Sequence, residues 1–290
     1  MAISLTVTDV EAGYGVVGVL HGVSLTVGAC ETVALLGPNG AGKSTAIGLL
    51  TGLKRAQRGA VRLLGRDPRI PAVRAAIGVT PQEAAFPMGW RVGEILDFAR
   101  SHYATPAPRA AIVEAFGLAP VLKRSAAVLS GGQQRKLAVA LAFSGAPRAV
   151  FLDEPTTGLD IDARKQLWAY VSAYKQGGGA VFLSTHYLEE AEALADRIIL
   201  LNRGVIVRAG TVSEIKSVVD VRLISFAAEQ APDLPSARFQ ETVRGRHLYV
   251  SNAADQAVRE LIGQGAPFSG LEVLPASLSD AVSELLKAPA

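Results

Sequence analysis

Residues Gly37, Pro38, Asn39, Gly40, Ala41, Gly42, Lys43, Ser44 and Thr45 form a run whose types suit an anion cradle. The run fits the pattern G-x-x-x-x-G-K-[ST] at Gly37, Gly42, Lys43 and Ser44. Glycines let backbone N–H groups close around phosphate oxygens without a clashing side chain. An apolar, strand-like stretch at Thr32–Leu36 precedes the run, and residues 46–53 continue as an apolar helix. That helix start aims the positive end of its dipole at the same anion. Lys43 adds a fixed charge for β- and γ-phosphates, and Ser44 offers a hydroxyl to Mg²⁺. The plainer alternative is a glycine-rich turn with a chance Lys-Ser, which would not require a strand before it and a helix after it.

A second set of groups could act on a phosphate so held. Residues 149–154 (AVFLDE) are an apolar run ending in two acids. A buried strand tolerates such a run, and the acids then emerge at its C-terminal end, where α/β folds bind ligands. Asp153 is expected to hold Mg²⁺ through a water, and Glu154 to polarise an attacking water as general base. Two adjacent carboxylates beside phosphates need a cation to neutralise them. Standing alone, such a pair more often marks a solvated strand end. A third element, Leu129 to Arg135 (LSGGQQR), places Ser130 as an N-cap before a helix that opens on Gly131 and Gly132. Such a start can also bind an anion, although by itself it reads as a simple loop before an amphipathic helix.

The elements that must position these groups alternate along the chain. Ile3, Leu5 and Val7 alternate with polar partners, Val23, Leu25 and Val27 repeat the pattern, and Gly59–Leu64 reads as a strand closed by the turn 65–68. Residues 91–146 change to helical spacing, with Val92–His102, Arg109–Phe116 and Gln133–Phe143 as helices. From Ala149 the alternation returns: strands at 149–152, 180–184 and 197–201, and helices at 162–175 and 187–195. This predicts an α/β domain with a mostly parallel sheet covered by helices and interrupted by a helical insert. Beyond Ser213, strands at Val219–Phe226, Ala237–Gln240, His247–Val250 and Leu271–Leu274 accompany helices at Ala253–Ile262 and Leu278–Leu286. The expected division is a domain over 1–212, with its helical part at 91–146, and a small α+β domain over 213–290.

Composition narrows the class. The 290 residues are 49% hydrophobic and 19% charged, enough for a sizeable core. The net charge of +3 without a run of Lys or Arg argues against nucleic acid as a partner. A mean hydropathy of +0.28 invites a search for membrane spans. The long uncharged stretch Ala12–Cys30 is interrupted by Gly13, Gly15, Gly18, Gly22 and Gly28 and by His21, and reads as strands and turns. Residues 1–6 (MAISLT) lack the basic start of a signal peptide. Cys30 is the only cysteine, which fits a reducing cytoplasm, and is expected as a small core residue.

Residues 129–133 (LSGGQ) resemble the signature sequence of ABC ATPases, and Asp153 to Asp160 (DEPTTGLD) resembles that family's Walker B and D-loop segment. The resemblance runs from about residue 3 to residue 212, with five motifs in the family's order. It implies a P-loop NTPase core of ABC ATPase type: a mixed sheet, an antiparallel β subdomain and a helical subdomain. It further implies ATP and Mg²⁺ as cofactors. Ser130, Gly131, Gly132 and Gln133 would meet the γ-phosphate held by another subunit. Gln82, in residues 79–83 (VTPQE), is similar to the Q-loop glutamine that contacts Mg²⁺ and the attacking water. His186, in residues 183–186 (LSTH), resembles the switch histidine that bonds the γ-phosphate and Glu154. His21, His102 and His247 have no such setting and read as ordinary. Asp160 resembles the D-loop aspartate at the dimer interface. Tyr14 resembles the aromatic that stacks on adenine, with a core or turn tyrosine as the alternative.

Residues 89–91 (GWR) depart from the Leu-Thr common in the family after the Q-loop, a departure that would reflect this chain's own permease. The resemblance implies an ATPase that pairs as a homodimer or as a heterodimer with a related subunit. That pair would drive a separate transmembrane permease from the cytoplasmic face of the membrane. The pattern is similar to the branch of drug, lipid and sodium exporters, and Ser277–Leu286 resembles that branch's regulatory tail. ABC ATPases that move nothing and act on ribosomes or DNA are the alternative. They usually carry two ATPase units, coiled coils or zinc-binding cysteines, none of which is read here.

Overall fold

The computed structural model describes residues 5–218, 222–265, 267–275 and 277–287. Ile3 and residues 219–221, read above as strand, lie outside them. Two compact units form, Met1–Ala209 and Gly210–Ala290.

The first unit opens with β1 (Leu5–Tyr14), β2 (Val17–Val27), β3 (Thr32–Leu36), α1 (Lys43–Leu50), β4 (Arg58–Leu63), α2 (Pro71–Arg74) and β5 (Ile77–Thr80). The inserted region carries α3 (Val92–Ser101), α4 (Arg109–Ala115), two short 3₁₀ turns and α5 (Gly131–Phe143). The chain then continues through β6 (Ala149–Asp153), α6 (Ile161–Gln176), β7 (Ala180–Thr185), α7 (Leu188–Leu194), β8 (Arg197–Asn202) and β9 (Val205–Gly210).

Two sheets form here. β2, β1 and β4 make an antiparallel sheet with β1 in the middle. Its alternation is the one expected of strands with one wet face: Leu5, Val7, Val23, Leu25 and Val27 are buried while their neighbours face outward. The second sheet has the order β5-β6-β7-β3-β8-β9, parallel from β5 to β8. β3, β6 and β7 are buried at every residue, as strands covered on both faces must be. Val33, Leu35, Phe151, Phe182 and Ile199 join the inward residues of the first sheet and of α1 in one core. Burying each such side chain contributes about 1.5–3 kcal/mol, so this shared core welds both sheets to α1.

Strand order decides where the chemistry lies. β3 is hydrogen-bonded to β7, and β7 to β6, with Leu36 opposite Thr185 and Asp153 opposite Ser184. Three segments far apart in sequence, those after Leu36, after Asp153 and after Thr185, therefore leave the same edge of the sheet side by side.

The second unit contains α8 (Val212–Val218), β10 (Arg222–Ala227), β11 (Arg238–Val243), β12 (Arg246–Ser251), α9 (Ala254–Gly263), β13 (Ser269–Pro275) and α10 (Leu278–Lys287). Its sheet, β11-β12-β10-β13, is antiparallel. Ile224, Phe226, Tyr249, Ala257 and Leu261 form its core, with Phe226 and Tyr249 stacked at 5.5 Å. His247 is buried with both ring nitrogens partnered, by the Thr242 hydroxyl at 2.9 Å and the Ala228 carbonyl at 3.0 Å.

Cys30 differs from its expectation. It is exposed, in the turn between β2 and β3, with a left-handed φ of 55°. The inward alternation of β2 ends at Val27, and the turn that follows points outward. The helix expected at 46–53 runs from Lys43 to Leu50, stopped by Gly52 at φ 73°. The helix expected from Gln133 starts two residues earlier.

Candidate functional site

The loop after β3 is shaped by its glycines. A Cβ on Gly37 would lie 2.2 Å from the Leu201 carbonyl, and Gly42 has φ 108° while packing on Leu20. Gly42 caps α1 without a side-chain hydrogen bond, and the first turn carries no acid. The N-terminal N–H groups of α1 thus remain available to an anion. Lys43 is 8% exposed, and its ammonium donates to the carbonyls of Gly37 at 2.8 Å and Pro38 at 3.1 Å. Burial pulls its pKa below the ordinary lysine value, while Glu154 and Asp153 push it back up. Ser44 is exposed beside it.

Both acids at the end of β6 are buried, Asp153 at 4% and Glu154 at 7% exposure. Ser184, fully buried on β7, donates its hydroxyl to Asp153 Oδ1. Its oxygens also receive the Glu154 N–H, the carbonyl at 3.0 Å and Oγ at 3.2 Å. Glu154 has a left-handed φ of 51°, a strained backbone of the kind found at functional sites, and Ser184 holds it there. The Glu154 carboxylate accepts from Thr157 Oγ1 at 3.3 Å, and its other oxygen lies 3.2 Å from His186 Nδ1. The His186 side chain remains 43% exposed, free to reach outward.

A cleft of about 370 Å³ joins these groups. Asn39, Gly40, Gly42, Lys43, Ser44 and Thr45 line one part, and Gln82, Glu154 and Tyr14 complete it. Tyr14 is 59% exposed at the end of β1, beside the two-residue turn at Gly15 and Val16, with the Lys54 ammonium 3.9 Å from its ring centre and bonded to its hydroxyl. Asp153 stands behind Glu154, and His186 reaches the cleft through Glu154.

The structure does not bring Ser130, Gly131, Gly132 and Gln133 to this cleft. Ser130 caps α5: its oxygen accepts the Gln133 N–H at 3.3 Å, and the Gln133 side chain accepts the Ser130 N–H at 3.2 Å. A side chain on Gly131 would meet nothing within 4 Å, whereas one on Gly132 would press on the Gly158 carbonyl at 2.8 Å, so the helix start is open at Gly131. Asp160 likewise caps α6 through Ala163 N at 2.7 Å.

The geometry is that of a phosphate loop facing a buried acid and a histidine, and known proteins carry the same pattern. A family model described as ABC transporter matches residues 20–157. The daunorubicin resistance ATP-binding protein DrrA3 of Streptomyces coeruleorubidus is 36% identical over 241 residues, covering 81% of this chain and 76% of that protein. The chain belongs to the ATP-binding proteins of ABC transporters. Within this ABC family it is also 40% identical over 212 residues to the doxorubicin resistance ATP-binding protein DrrA of Mycobacterium tuberculosis. That match covers 70% of this chain and spans 64% of that protein's length. A solved structure titled "Structure of ATP binding subunit of ABC transporter" superposes with a TM-score of 0.68 at 31% identity, covering 73% of this chain and 92% of that one. The fold is therefore the P-loop ABC ATPase fold, with parallel and antiparallel sheets and an inserted helical region.

Sequence reading missed three residues of this ABC site. Ser184 sat inside a quoted motif, but only its pairing with Asp153 across β6 and β7 shows what it holds. Thr157 is a second case. The third is Arg135, 6% exposed on α5, whose guanidinium pKa burial lowers while Asp153, Glu154 and Glu190 push it back up. Its signal was legible: Arg135 shares helical spacing with the buried Ala138 and Ala142.

Proposed function

We propose that the chain is the ATP-binding and ATP-hydrolysing subunit of an ABC transporter that energises a separate transmembrane permease. The observation that carries this reading is the single cleft in which the loop of Lys43, Gln82 and Glu154 face one another. Lys43 and the α1 N–H groups bind the phosphates, and Tyr14 offers its exposed ring to adenine. Glu154 takes the proton of the attacking water, and His186 at 3.2 Å orients its carboxylate and reaches for the γ-phosphate. The Ser44 hydroxyl, the Gln82 amide and the Asp153 carboxylate are hard oxygen donors, the set that suits Mg²⁺. The cation, when bound, neutralises phosphate charge beside the two acids.

Ser130 to Gln133 belong to a second copy's site in this reading. Their helix start is open and lies apart from their own chain's cleft, which supports ATP clamped between two chains, identical or related. Asp160 sits near that junction. The permease is met beyond Gln82, where Met88, Trp90 and Phe98 stand 89%, 40% and 55% exposed. Apolar surface of this kind marks an interaction site. Among the described residues no helix is long and apolar enough to cross a membrane. Relatives named for doxorubicin and daunorubicin resistance favour export of a drug, lipid or other hydrophobic or small solute, from the cytoplasmic face.

The test is Mg²⁺-dependent ATP turnover by wild type and Glu154→Gln at several ATP concentrations. Turnover that disappears in the variant and on chelation of Mg²⁺, with ATP still bound, supports the site. Equal turnover in the two proteins would refute the assignment of Glu154.

A further inference from the structure

Arg135 commits every N–H of its guanidinium to main-chain oxygens. Nε donates to the Pro155 carbonyl at 3.3 Å. One terminal nitrogen donates to Pro81 at 2.6 Å and Gln82 at 3.0 Å. The other donates to Glu154 at 2.7 Å and to Asp153. A single planar group, carried on the first turns of α5, thus joins the segment that bears Gln82 to the segment that bears both acids.

We propose that Arg135 is a positioning residue for hydrolysis: its fork fixes the Gln82 segment against residues 153–155 and ties both to the helix that Ser130 caps. The proposal builds on the hydrolytic reading of Glu154 given above. Its physical basis is the rigidity of the group. Five donors in one plane hold five acceptors in one mutual arrangement, whereas a lysine offers three donors on a flexible stem. Two of the carbonyls engaged belong to Gln82 and Glu154, which line the cleft, and the other three to their chain neighbours, so the fork sets the backbone from which Gln82 and Glu154 project. Glu154, in its left-handed conformation, is restrained by Ser184 on its N–H and by Arg135 together with the Thr157 N–H on its carbonyl. The Arg135 fork also gives a displacement of the Gln82 segment a direct route to the base, without passing through nucleotide.

Among the described residues the Arg135 guanidinium hydrogen-bonds to neither the loop of Lys43 nor Tyr14, so its loss should separate turnover from nucleotide affinity. Steady-state ATP turnover, binding of a fluorescent ATP analogue and backbone amide exchange are measured for wild type, Arg135→Lys and Arg135→Met. Arg135→Lys keeps the charge and the stem, and remains readable if Arg135→Met fails to fold. The expected result for Arg135→Lys is a fall in kcat of about tenfold or more, with affinity within about threefold of wild type. The Gln82 and Glu83 amides should exchange faster while those of α5 keep their protection. Wild-type kcat in Arg135→Lys would overturn the clamp. So would loss of affinity and α5 protection in step with kcat, the mark of a general packing role. A wild type that binds ATP without turnover would instead strike the hydrolytic reading, and the clamp with it.

Discussion

Helices α1 and α5 both begin at glycine-rich turns that sequence reads as anion sites, yet the fold treats the two starts differently. At α1 the cap is Gly42, which supplies no side-chain oxygen, and Lys43 is buried beside the open N–H groups within a cleft. At α5 the cap is Ser130, and a reciprocal pair of hydrogen bonds with Gln133 occupies the first turn. The first start is built to be completed by a ligand. The second is satisfied by its own side chains and opens outward at Gly131. In the reading proposed here, an anion reaching α5 must displace the Ser130–Gln133 pair, so that site engages only when a second chain presents its nucleotide. In that reading one helix start would hold ATP and the other would sense that ATP is held.

The contrast can be broken most decisively at Lys43. Lys43→Ala should weaken ATP binding by a single chain about tenfold to hundredfold, the loss of about 1.5–3 kcal/mol of charge-assisted bonding. A fluorescent-nucleotide titration checks this, and unchanged affinity would remove α1 from the site. Ser130→Arg should do the reverse: affinity within about threefold of wild type, with turnover reduced about tenfold or more because the second chain is excluded. Size-exclusion chromatography with ATP should show dimer mass for Glu154→Gln and not for Glu154→Gln combined with Ser130→Arg. Dimer mass for both would end the proposal of a shared site.

A smaller effect sharpens the same contrast. Ser130→Ala removes the α5 cap and should cost about 1 kcal/mol of stability, read as a fall in Tm of about 2–4 °C. Deleting residues 214–290 is expected to have the least effect, leaving nucleotide affinity unchanged within about twofold, an estimate resting on near-independent sites. A marked loss of affinity on truncation would assign the second unit to the nucleotide site and not to pairing or regulation.

Much of the α1 site was legible because its residues are contiguous. A Gly-rich run between a buried strand and an apolar helix has one structural context, and the chain adopts it. The acids at the end of β6 were legible for the same reason, as residues that terminate an apolar run. Cys30 shows the limit of composition: its residue type predicts burial, but a turn with left-handed φ placed it outside. Ser184 and Arg135 show the limit of motif. Each lies within or beside a recognised stretch, and each gains its role from partners far along the chain, Ser184 from Asp153 and Arg135 from residues 81–82 and 153–155.

The sequence by itself determined which groups could bind phosphate, hold a cation and activate water, because those properties belong to residue types and to short-range backbone geometry. It also determined the alternation of strand and helix that carries them. The tertiary structure alone decided which of these groups meet. The order β6-β7-β3 sets Asp153, Ser184 and the phosphate loop at one sheet edge, and the packing of α5 brings Arg135 under both the Gln82 segment and the acids. Long-range pairing of buried strands and helices fixes such neighbours, and no local pattern encodes a distance between residues that far apart in the chain.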